Sequence, residues 1–228
     1  MHNLMINISE RIEQWATIQP GKAAIISEGL IYTYKDLDSR INRLSCLFLD
    51  KGLKKGDRVA VFLHNCKEYI EIFFALSRIG SLLVPLNWRL TLPELEFIIK
   101  DSGSRFIIFE DEFMENAQIL NEKVPMDLSL SCAMTGQRNK IHLPSWAVDY
   151  ETICATYPET KPEIPWEAGD DDPHILMYTS GTTGVPKGAL LSHKKTFFNV
   201  LNAEIYFDLT RNDIAIIDHN IDSGRTII

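Results

Sequence analysis

Between residues 32 and 109 the chain alternates two hydrophobic periods, and this alternation narrows the fold more than any other feature. Leu37, Ile41, Leu44 and Phe48 recur at helical spacing, and Gly52 is placed to end that helix. Residues 58–63 form a short β-branched and apolar run, the pattern of a buried strand. Asn65 is suited to cap a second helix, in which Tyr69, Ile70, Phe73, Phe74 and Leu76 lead towards Gly80. Residues 82–86 predict a second strand, stopped by Pro85 and the turn after it. Thr91 and Glu94 form a Thr-x-x-Glu pair in which each side chain can satisfy the other residue's free backbone N–H. They predict a helix running to about residue 101, and residues 105–109 predict a third strand. Repetition of strand and helix implies parallel pairing and a sheet covered on both faces. The expected class is α/β, with partly parallel sheet layers covered by helices.

The second half is less regular. Residues 111–155 show no strong period. Pro158, Pro162 and Pro165, with Glu163, Glu167 and the run Asp170-Asp171-Asp172, predict an extended linker over 157–173. The acidic run reads as a solvated approach to the next strand. Strands are expected at 174–178, 189–191 and 213–217, and a helix at 196–209. No internal repeat interrupts the pattern.

Between two of those strands lies Thr179-Ser180-Gly181-Thr182-Thr183-Gly184-Val185-Pro186-Lys187-Gly188. Glycines alternate with hydroxyl residues, and a lysine follows a stiffening proline. Backbone N–H groups, hydroxyl donors and a cation in one short segment suit polyphosphate, whose charged oxygens accept from several directions. Gly181 and Gly184 let the backbone approach an anion closely. The competing reading is a surface turn that happens to be rich in Gly and Thr; it would be favoured for a lone glycine-rich loop, but ten consecutive positions with a flanking pattern are a much more specific signal. A Walker A loop needs Gly before the lysine and Ser or Thr after it, whereas Pro186 and Gly188 flank Lys187. A P-loop kinase or GTPase is therefore disfavoured. His193, Lys194 and Lys195 precede the expected helix and oppose its dipole, which a nearby anion would offset. Lysines pointing into water explain them equally well.

Residues 178–187, continuing through Gly188-Ala189-Leu190-Leu191-Ser192-His193, resemble the signature of the adenylate-forming, or AMP-binding, superfamily. Earlier segments are similar too: Tyr32-Thr33-Tyr34-Lys35-Asp36-Leu37, Gly56-Asp57-Arg58-Val59-Ala60-Val61, Gly80-Ser81-Leu82-Leu83-Val84-Pro85-Leu86-Asn87 and Leu92-Pro93-Glu94-Leu95. Residues 84–102 look most like fatty acyl-CoA ligases. The resemblance covers residues 9–217 and implies an N-terminal domain of such an enzyme, incomplete as given, with a divergent tail at 218–228 and no C-terminal domain.

The chemistry implied is attack of a carboxylate, here a fatty acid, on Mg2+·ATP to give an acyl-adenylate. Coenzyme A thiol then displaces AMP. By the resemblance Thr179, Ser180, Gly181, Thr182, Thr183, Gly184 and Lys187 hold the ATP phosphates, and His193 is nucleotide-proximal. The family's catalytic residues are expected beyond this terminus, so the chain is expected to be inactive alone. The alternative is a non-catalytic fragment that binds ATP or a partner, including a complementing C-terminal polypeptide.

The remaining residues add exclusions. A net charge of −8 argues against a nucleic-acid binder. Cys46, Cys66, Cys132 and Cys154 lack zinc or disulfide-framework spacing, and no metal site is expected. His64 and His174 read as structural, and Trp88-Arg89 as a surface turn. No apolar run is long enough for a membrane helix, and residues 1–7 lack a leader's apolar core, so a cytoplasmic protein is expected.

Overall fold

The computed structural model describes residues 6–132, 143–179, 186–210 and 212–215. Helix α1 (Ser9–Ile18) and an antiparallel hairpin, β1 (Ala23–Ser27) and β2 (Leu30–Thr33), precede α2 (Tyr34–Asp50). Strand and helix then alternate through β3 (Arg58–Phe62), α3 (Lys67–Arg78), β4 (Leu82–Pro85), α4 (Leu92–Ser102) and β5 (Phe106–Glu110). A 3-10 turn, Asp111–Phe113, leads into α5 (Met114–Lys123). β6 (Leu128–Cys132), β7 (Val148–Asp149) and α6 (Tyr150–Ala155) follow. The chain closes with β8 (Pro173–Thr179), β9 (Lys187–Ser192) and α7 (His193–Phe207).

Strands β3 to β9 build one sheet in the order β7-β6-β5-β3-β4-β8-β9. Every neighbouring pair is parallel except β8 with β9. From β3 the chain moves to β4 on one side, then crosses back to place β5 on the other. Connections thus diverge from β3, the arrangement that opens a crevice at the carboxyl ends of the diverging strands.

The two-residue period of β3 and β5 divides the core. Val59, Val61, Phe106 and Ile108 pack with Ile41, Leu44, Phe48, Ile72 and Leu76 of α2 and α3 on one face. Ala60, Phe62, Ile107 and Phe109 pack with Leu95, Ile98 and Ile99 of α4 and Leu120 of α5 on the other. Both faces of these strands are buried, which is why their sequence reads as an unbroken apolar run.

Caps fix where the helices start. Thr33 Oγ1 accepts from the Asp36 N–H at 3.2 Å, and the Asp36 carboxylate accepts from the Thr33 N–H at 2.9 Å. Thr91 and Glu94 make the same reciprocal pair ahead of α4, which ends on Gly103 at φ +61°. Asn65 does not cap α3: the helix starts at Lys67, and Cys66 occupies the cap position without a side-chain hydrogen bond. A buried ionic knot joins the helices on one face. Glu71 accepts from Arg40 at 3.0 Å, Tyr150 at 2.9 Å and Lys67 at 3.3 Å, tying α3 to α2 and α6.

Three expectations change. Residues 111–155 carry α5, β6 and α6, whose short elements bury serines among their apolar positions and so hide their period. Helix α7 begins at His193, not Thr196, because Ser192 Oγ accepts from the Lys195 N–H at 3.4 Å. His193, Lys194 and Lys195 therefore form its first turn. Residues 213–215 are not a strand; Asp213 instead accepts from the Thr210 N–H and closes a turn. Residues 216 and 217 lie outside the described residues.

Residues 157–172 hold neither helix nor strand, yet they are fastened to the body. Trp166 Nε1 donates to the Ile79 carbonyl at 2.7 Å, and Asp172 pairs with Lys55 at 2.6 Å. The acidic run is built in: the Asp170 and Asp172 carbonyls accept from the Lys194 and His193 N–H groups. All four cysteines are free thiols. Among the described residues no helix is long and apolar enough to cross a membrane.

Candidate functional site

The hydroxyl- and glycine-rich segment joins β8 to β9. Antiparallel register pairs Thr179 with Lys187 at one end of this hairpin and Pro173 with Ser192 at the other. The motif's first residue and its lysine are therefore direct cross-strand neighbours, both exposed. Among the described residues no carboxylate pairs with Lys187, so its ammonium is available to an anion. Ser180, Gly181, Thr182, Thr183 and Gly184 lie outside the described residues.

The hairpin's stem explains two neighbouring residue choices. Tyr178 faces Gly188 across the ladder. A Cβ at position 188 would stand 2.9 Å from Leu176 Cδ1 and 3.3 Å from the Tyr178 ring, so a larger residue would push on both side chains. Tyr178 Oη donates to Asp101 at 2.6 Å, fastening the loop end of β8 to α4. Burial and that hydrogen bond raise the phenol well above its usual pKa, keeping it a donor.

The opposite end is held by two buried histidines. His174 Nδ1 lies 3.2 Å from Ser77 Oγ and its Nε2 2.7 Å from Thr196 Oγ1, linking β8 to α3 and α7. The His193 ring stacks on it with centroids 4.7 Å apart. His193 Nδ1 accepts from the Ile8 N–H at 3.4 Å, and its buried Nε2 has no hydrogen-bond partner among the described residues. Burial lowers both rings, His174 to about 3 and His193 to about 4, so both are neutral at physiological pH. For His193, Asp172 and Asp170 offset only part of that effect.

His193, expected from the sequence to be nucleotide-proximal, sits at the foot of this hairpin. Six strand positions separate it from Lys187, about 20 Å at strand rise, and its ring is fully buried. The structure makes it a root of the hairpin. His174 is structural as expected, and Trp88-Arg89 forms a turn with Trp88 packed on the second core cluster.

Comparison with known proteins agrees with this arrangement. The family model described as AMP-binding enzyme matches residues 12–220. A fatty acid–[acyl-carrier-protein] ligase from Streptomyces coeruleorubidus is 35% identical over 204 residues, covering 87% of this chain and 36% of the ligase. A feruloyl-CoA synthase from an Amycolatopsis species is 32% identical, with 89% of this chain and 36% of the synthase covered. Among solved structures, ATP-bound MatB from Rhodopseudomonas palustris superposes with a TM-score of 0.75 at 27% identity, covering 92% of this chain and 39% of MatB. The chain thus spans a little over a third of the length of these relatives. A mainly parallel α/β sheet, a hairpin that pairs Thr179 with Lys187, and a family match over residues 12–220 lead to one conclusion: the chain belongs to the AMP-binding enzyme family.

Proposed function

We propose that this chain supplies the ATP phosphate-binding part of an acid–thiol ligase. The reaction joins a carboxylate to the α-phosphate of Mg2+·ATP with release of pyrophosphate, then passes the acyl group to a thiol with release of AMP. Thr179, Ser180, Thr182 and Thr183 offer hydroxyl and backbone donors to the β- and γ-phosphates, and Gly181 and Gly184 allow close backbone approach. Lys187 balances the charge that grows on departing pyrophosphate, an electrostatic task needing position rather than covalent chemistry. His193 is left out of these contacts. The observation that carries the reading is the Thr179–Lys187 pairing, which sets both ends of the motif side by side with an exposed cation.

A fatty acid is the carboxylate we favour, supported by residues 84–102 and by the fatty-acid ligase relative; the feruloyl relative shows how far acid substrates vary within the family. Coenzyme A is the favoured thiol acceptor, and an acyl-carrier protein is the alternative that the first relative's name brings in. In this reading the chain by itself binds nucleotide without turning over. A complementing polypeptide would restore exchange.

The test is ATP binding by calorimetry. A charge-assisted hydrogen bond is worth about 1.5–3 kcal/mol, so Lys187→Ala should weaken ATP about ten- to a hundredfold. Unchanged affinity removes Lys187 from the role. A second reading, a non-catalytic ATP- or partner-binding piece, draws on the exposed apolar residues of α7. Restoration of ATP–pyrophosphate exchange by an added C-terminal polypeptide would decide against it.

A further inference from the structure

At the carboxyl ends of β3 and β5, where the connections diverge, stands a group of side chains that nucleotide binding does not use. His64 Nδ1 lies 2.9 Å from Glu110 Oε2 and 4.0 Å from Glu112 Oε2. One ligand atom from each of the three residues falls within 4.8 Å of the others. The imidazole is held in orientation by Trp88 and Phe113, with centroids 5.1 and 4.9 Å away. Glu110 is the unusual member. Its side chain is only 8% exposed, and its hydrogen-bond partners among the described residues are the backbone N–H and ring of His64. No lysine or arginine among the described residues pairs with it. A carboxylate withdrawn from water calls for a cation, supplied by a side chain or by a metal.

We propose that His64, Glu110 and Glu112 bind one divalent cation of the zinc type. One imidazole nitrogen with two carboxylate oxygens is a donor set for zinc and neighbouring transition ions, whereas magnesium and calcium take oxygen ligands. Bonds of about 2.0–2.2 Å place tetrahedral ligand atoms about 3.4 Å apart. The observed 2.9 and 4.0 Å bracket that spacing, so small side-chain adjustments close the site. Glu112 is exposed, giving the ion a route from solvent. A bound ion neutralises Glu110 and pins the ends of β3 and β5 to the 3-10 turn. This departs from the expectation of no metal site, because His64 and Glu110 stand 46 positions apart and only the fold brings them together.

Calorimetric titration of the full chain with Zn2+ tests the site, using protein without a histidine tag. The expected result is one equivalent bound and a raised Tm, with no shift from Mg2+ at the same concentration. His64→Gln should abolish binding, and the exposed change Glu112→Gln should weaken it by about tenfold or more. Should His64→Gln not fold, Glu112→Gln carries the test alone. Co2+ as a spectroscopic substitute should show tetrahedral bands without thiolate charge transfer. Thiolate bands would put the metal on cysteines and overturn the proposal. Lack of stoichiometric Zn2+ binding, or binding unchanged by Glu112→Gln, would overturn it equally.

Discussion

The sheet has two halves built from similar apolar residues and finished differently. In β3 and β5 both faces are covered, and Val59 to Phe62 and Phe106 to Phe109 are all fully buried. At the other end β9 forms the edge, and Leu190 is 53% exposed. On α7, Phe198, Ile205, Tyr206 and Phe207 face outward, Ile205 at 72% and Tyr206 at 82%. Hydrophobic chemistry is thus spent on cohesion in one half and left available in the other. Exposed apolar residues gathered on one helix and one edge strand mark a surface suited to contact. The half that carries the hydroxyl- and glycine-rich motif is also, among the described residues, the half with the least cover.

The largest effect expected from this contrast comes from the covered half. Phe109→Ala removes a ring that is fully buried and stacked on Trp146, and should cost about 3–5 kcal/mol in urea unfolding. A loss as small as that of a surface change would erase the distinction between the halves.

Acid should separate them next. Because folding holds His174 and His193 below the ordinary 6.5, the unfolded chain takes up protons first as pH falls. Stability from these rings is complete above 6.5 and declines from there to about 4 for His193 and about 3 for His174. At pH 5 the loss is about 2 kcal/mol per ring, from about 1.4 kcal/mol per pH unit. Hydrogen exchange should quicken in β8, β9 and α7 before β3 and β5; simultaneous quickening would contradict the separation. Replacing both histidines by glutamine should flatten that acid limb.

Gly188→Val sharpens the comparison locally. Overpacking against Leu176 and Tyr178 should cost about 1–3 kcal/mol and weaken ATP binding together with stability. A melt shift with ATP affinity intact would detach the stem from the motif. The smallest effect is expected from Ile205→Asp, within about 0.5 kcal/mol, since the side chain already faces water. A large loss there would mean that α7 is covered in solution.

Legibility in the sequence follows the same division. The caps Thr33–Asp36 and Thr91–Glu94 and the double-sided strands announce themselves, because local hydrogen bonding and burial act on adjacent residues. Strand β6 does not, since buried Ser129 and Ser131 interrupt its apolar pattern. Cys66 taking the cap position that Asn65 suited reflects tertiary packing overriding a local preference. The hydroxyl- and glycine-rich motif was readable as a contiguous string, while the burial of His193 was not. Its environment is assembled from Ile8, His174 of β8 and the segment around Asp172, all distant in sequence.

The fastening of β8 carries a mechanical consequence. Its ladder to β4 is short, with Leu83 opposite Ile175, while His174 clamps its first turn of chain to α3 and α7. The hairpin is therefore a cantilever, anchored near one end and steadied towards its tip by the Tyr178–Asp101 hydrogen bond. A small rotation at the anchor is magnified along about 20 Å into a displacement of the tip. A displacement of α7 at Thr196 is thus felt at Thr179 and Lys187, far from where it is applied.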